Sequence, residues 1–136
     1  MSYALSLSLQ KAVFAALDAD ATMQTLVGTA IFDAPPSGAM PALYVSLGPD
    51  VARDRSDQGV RGSRYDFTVS VVSDAGGFAE AKTVAAAISD VLAQPLGVLE
   101  RGRIVTLGFL RARALRDEAG QQRRIDLTFR ALLDDA

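Results

Sequence analysis

Asp74-Ala75-Gly76-Gly77-Phe78-Ala79-Glu80-Ala81-Lys82, running on to Leu92, is the stretch where a strand-like pattern gives way to a helical one. Before it, Tyr65, Phe67, Val69 and Val71 alternate with Arg64, Asp66, Thr68 and Ser70, the period of a half-buried strand over 64–73. After it, Ala81, Val84, Ala85, Ile88, Val91 and Leu92 recur at helical spacing, with Glu80, Thr83, Ser89 and Asp90 opposite. Gly76 and Gly77 permit a sharp turn between the two, Ser73 or Asp74 is placed to cap the freed amides, and Pro95 closes the far end. A strand joined in this way to an amphipathic helix predicts an α+β domain organised around that helix.

Toward the N-terminus, Leu5, Leu9, Ala12, Val13, Ala16 and Leu17 form one apolar stripe, which predicts a helix over 2–17. Asp20 is placed to cap a short helix over 21–26, and Gly28 to stop it in the left-handed conformation. Ile31-Phe32 reads as a short strand, and the proline-rich run 33–41 as a shaped loop. Leu43, Val45 and Leu47 alternate as a second strand, ended by Gly48-Pro49. The charged stretch 50–62, with Arg53, Arg55 and Arg61 among two glycines and two valines, reads as a long exposed loop. Loops of that length in compact domains tend to be either functional or disordered, which makes this one the main surface of interest.

Toward the C-terminus, a connector through Pro95, Gly97 and Gly102 leads to a strand over 104–115. A turn at Asp117-Glu118-Ala119-Gly120 and an antiparallel partner over 123–132 follow, with a bulge expected near Gly108. The sum is a mostly antiparallel sheet of about 4–5 strands with two main helices packed on one face. The other face, with Arg64, Asp66, Thr68, Asp126 and Arg130, is expected to be polar. At 136 residues and 49% hydrophobic content, a single domain over 1–136 is expected.

The chain has no cysteine and no histidine, so thiolate sites and the commonest general base and zinc ligand are excluded. Gly76-Gly77 lacks the flanking pattern of a phosphate loop and is better read as a plain turn. Asp50, Asp54 and Asp57 have neither the spacing nor the closing glutamate of a calcium loop, and arginines stand among them. There is no G-x-S-x-G elbow. The residues therefore imply no enzyme, cofactor or metal. No apolar run reaches membrane-spanning length and no leader pattern is present, which leads us to expect a cytoplasmic protein with no membrane association.

Net charge is −2, but residues 1–100 hold 6 basic and 11 acidic side chains and residues 101–136 hold 8 and 5. Twelve of the fourteen basic residues are arginine, the type favoured in carboxylate pairs and interfaces. Arg111, Arg113 and Arg116, with Arg123 and Arg124 across the turn, form the densest basic group. Salt bridges within an exposed hairpin, an acidic protein partner and nucleic-acid phosphate compete to explain it. Phosphate ranks last because no aromatic residues are interleaved for base stacking. The candidate contact residues are Arg53, Arg55, Arg61, Arg64, Arg111, Arg113 and Arg116.

The order of certain segments carries a resemblance. They are Leu9 to Leu17, Leu26-Val27-Gly28, Ile31 to Pro35, Pro41 to Val45, Leu47-Gly48, Ser73 to Lys82, and Leu115 to Gly120 with Arg124 to Ala131. Together they resemble the tail-terminator, or tail-completion, proteins of long-tailed phages and gene transfer agents. Ala42, between Pro41 and Leu43-Tyr44, departs slightly from the Pro-Tyr pairing of that family. The resemblance implies a hexameric ring, made in the cytoplasm, that docks on the last ring of the tail-tube protein and ends its growth. It would offer its other face to a head-side connector or stopper protein, in the tail-neck region. DNA would pass through the lumen without sequence-specific binding. The nearest alternative is a head-closure or other neck adaptor protein. From another class, the alternative is a small ligand- or nucleic-acid-binding module.

Overall fold

The alternating and helical periods become, in chain order, helices α1 (Ser6–Ala19) and α2 (Ala21–Val27), then strands β1 (Ile31–Phe32), β2 (Leu43–Asp54) and β3 (Gly62–Ser73). Helix α3 (Ala79–Leu92) and strands β4 (Arg103–Arg116) and β5 (Arg123–Asp134) complete the chain. The computed structural model describes residues 3–33, 38, 40–55, 62–116 and 122–135. The strands form one sheet in the order β1-β2-β3-β5-β4, in which only the β1–β2 pair is parallel. This is the expected α+β architecture.

Inward residues of the sheet, among them Val45, Tyr65, Phe67, Val69, Leu127, Phe129 and Leu133, meet Leu9, Val13 and Leu17 of α1 and Val84, Ile88 and Leu92 of α3. Each such aliphatic or aromatic side chain contributes roughly 1.5–3 kcal/mol when fully buried. α1 lies against β1 and β2, and α3 against β3 and β5. The outermost strand β4 receives little cover.

The α3 stripe read from the sequence is the buried one: Ala81, Val84, Ala85, Ile88 and Leu92 are all buried. The cap differs. The residue before α3 is Phe78, with no side-chain cap. Ser73 Oγ instead accepts from the Ala75 amide and donates to Glu80, which fixes the turn and not the helix start. Asp20 does cap α2, accepting from the Met23 amide at 3.0 Å. Gly28 ends α2 at φ 60° but ψ −122°, a positive-φ exit outside the left-handed helical region.

The reading of 50–62 as a loop changes most. Gly48-Pro49 does not end β2, since the ladder to β3 shifts register between Leu47 and Asp50 and then resumes, pairing Ala52 with Tyr65 and Asp54 with Ser63. Proline has no amide to give the ladder and is tolerated at such an irregularity. A Cβ on Gly48 would stand 3.2 Å from the Thr68 carbonyl oxygen, so the close approach favours glycine. Only 55–61 separate the two strands, and Arg61 lies outside the described residues. So does the expected turn at 117–120. In β4 the register shifts fall between Ile104 and Thr106 and between Phe109 and Arg111, which makes Val105 and Leu110, not Gly108, the extra residues.

Candidate assembly surface

Among the described residues no group of three or more acidic side chains could hold a metal ion, and no helix is long and apolar enough to cross a membrane. Ser8-Leu9-Gln10-Lys11 has the Ser-x-x-Lys spacing of some acyl-transfer enzymes. Its groups are otherwise engaged. Ser8 Oγ donates to the Arg101 carbonyl and accepts from its amide, while Lys11 pairs with Glu100 at 3.1 Å. That pair ties α1 to the connector before β4.

The sheet face away from the helices is polar, as the alternation predicts, and two of its carboxylates, Asp66 and Asp126, are paired with arginines. Arg130 donates from Nε and Nη2 to the two oxygens of Asp66 at 2.8 and 3.0 Å, a bidentate pair across β5 and β3. Those hydrogen bonds hold the Asp66 carboxyl below the usual aspartate range against the opposing effect of desolvation. Arg124 Nε and Ser70 Oγ both donate to Asp126 Oδ1, at 2.7 and 2.6 Å.

The candidate arginines fall into two groups. Arg53 and Arg64 stand opposite each other on β2 and β3. The Arg64 Nε is buried 4.0 Å from Asp66 Oδ1, with no hydrogen-bond partner among the described residues. Arg55 is a structural anchor. It reaches Asp134 at 3.4 Å, and Arg103 reaches the same carboxylate at 2.8 Å, with Asp134 only 7% exposed.

Arg111, Arg113 and Arg116 form the second group. All three are exposed on β4, and none reaches a carboxylate among the described residues. β4 is the sheet's last strand, so one side of its backbone has no neighbour in the sheet. Its register puts Arg111 and Arg113 opposite Thr128 and Asp126 on the polar face, and Phe109 opposite Phe129 on the helix face. Phe109 meets Phe129 edge-on at 5.9 Å yet stays 56% exposed, and the two bulge residues Val105 and Leu110 are 40% and 41% exposed. An outermost strand with large apolar side chains and unpaired arginines has the composition of an interface core. The exposed apolar residues were not legible in the sequence, because apolar residues on a strand read as core until its neighbours are known.

A second unpartnered surface lies in the helical layer. α2 and α3 enclose an open groove of about 450 Å³ with Leu26, Ala86, Ala87 and Val91 in its walls and Asp20 and Asp90 among its polar residues. None of the three helices has a basic side chain in its last turn.

Two comparisons with known proteins agree with each other. A chain in the virion of a native gene transfer agent particle matches with a TM-score of 0.92 and 52% sequence identity, covering 98% of this chain and 99% of that one. None of the curated proteins compared matches the chain. The family model for the tail completion protein gp17 matches residues 11–134, which include most of α1 and every later element. The chain therefore belongs to the tail completion protein gp17 family.

Proposed function

We propose that the chain is a structural tail protein that closes into a ring on the last ring of the tail tube, ends its growth and presents its other face to a head-side connector. The observation that carries this reading is the near-complete match, in both directions and at 52% identity, to a chain of a gene transfer agent virion. The surface chemistry supports it. The molecule offers a polar face, an outermost strand rich in arginine and exposed apolar residues, and a largely apolar groove with two aspartates, Asp20 and Asp90. Such a protein works by contact and carries no reaction. In this reading the ring is a hexamer, DNA passes through its lumen without sequence-specific contacts, and the finished protein resides at the tail neck.

Particles assembled without the chain test the reading. Their tails should vary widely in length, and adding the chain back should restore one length, with the protein fractionating with the neck. Tails of normal length that fail only to join heads would overturn tail termination and favour a neck adaptor.

A further inference from the structure

β4 and the α2–α3 groove are complementary in charge and in apolar content, yet they are separate patches of one chain. β4 brings Arg111, Arg113 and Arg116 without a carboxylate partner among the described residues, together with exposed Phe109 and Leu110. The groove brings apolar walls, Asp20 and Asp90, and β4 contributes none of its lining. Asp90 lies near the α3 C-terminus, where the helix dipole is itself negative and no basic side chain offsets it. Asp90 also has no partner within the described chain, whereas Asp20 caps α2.

We infer that the β4 edge of one copy seats in the α2–α3 groove of the next copy, so that subunits join head to tail. This deepens the ring reading and rests on it. Two different patches make a heterologous contact, the kind that closes into a ring when its rotation closes. Pairing β4 edge to β4 edge would instead set the arginines of both copies side by side, and like charges across strands destabilise such a pair. The seat puts arginines against aspartates and covers Phe109 with the apolar groove wall.

The test uses two variants of the full chain. One carries Arg111→Glu and Arg116→Glu. These positions face Thr128 and Arg123 on β5, so the reversal creates no like-charge pair across the hairpin. The other carries Asp90→Arg, at an exposed position where a cation also suits the helix end. Both should melt like the parent. Ring formation is followed by mass measurement, alone and with tail-tube subunits. Each variant alone should assemble about tenfold or more less readily, as like charges meet at every contact. A one-to-one mixture should recover assembly, because every contact between unlike variants again pairs opposite charges. If the parent forms rings but the variants match it, or the mixture recovers nothing, this seat is wrong and the ring stands. If the parent stays monomeric with and without tail-tube subunits, the ring reading falls and the seat with it.

Discussion

Gly102 shows how much one residue constrains the join between α1 and the sheet. It has φ 79°, and a Cβ there would lie 2.8 Å from Leu5 Cδ2 and 2.9 Å from the Asp134 carbonyl oxygen. Gly102→Ala should therefore cost about 1–3 kcal/mol from backbone strain alone, measurable by urea unfolding. Arg55 and Arg53 separate a structural arginine from a surface one. Arg55→Ser removes one of two cations from the buried Asp134 and should cost about 1 kcal/mol, whereas Arg53→Ser, at an exposed position, should stay within about 0.5 kcal/mol. Asp66 gives a pH signature. Its folded carboxyl titrates below the unfolded value of about 3.9, so its contribution is complete above that value and is lost as pH falls through the lower folded one. Stability measured against pH should fall less steeply in acid for Asp66→Asn than for the parent. An unchanged acid limb would mean that the Arg130 pair does not contribute.

At the scale of elements, α3 is the piece on which the sheet closes. Ile88→Ala and Leu92→Ala should each cost about 2–5 kcal/mol, the range of large-to-small changes in a core. Cooperative melts near that of the parent would show that α3 does not organise the core. α3, β3 and β5 were legible in the sequence because one-sided burial imposes a period on each. The end of β2 was not legible, because Gly48-Pro49 signals a break in most contexts and only pairing with Phe67 to Ser63 carries the strand onward. In β4 the phase slip was legible, but its place was not, since glycine is the usual local signal of a bulge and only the register with β5 puts the extra residue at Leu110. The arginine cluster at Arg111, Arg113 and Arg116 was legible as the densest basic group, with a protein partner as one of three competing explanations. The groove that would receive it was not, because Asp20 and Asp90 come together only when α2 packs on α3.

For the whole molecule, one sheet and one hydrophobic cluster join elements from both ends of the chain, with Leu5 and Leu133 in the same core. The placement of β5 between β3 and β4 leaves β4 as the long outermost strand, and that order follows from tertiary pairing rather than from any local pattern. The consequence is a molecule with distinct surfaces: a polar sheet face, an arginine-bearing edge and a groove that carries Asp20 and Asp90 among apolar walls. The most direct measurement adds the purified chain to tail tubes growing from their subunits and follows tube length and end structure by electron microscopy. Growth should stop, with a closed ring of this chain at the growing end. Tubes that keep lengthening at the same rate, with no ring at either end, would contradict the account.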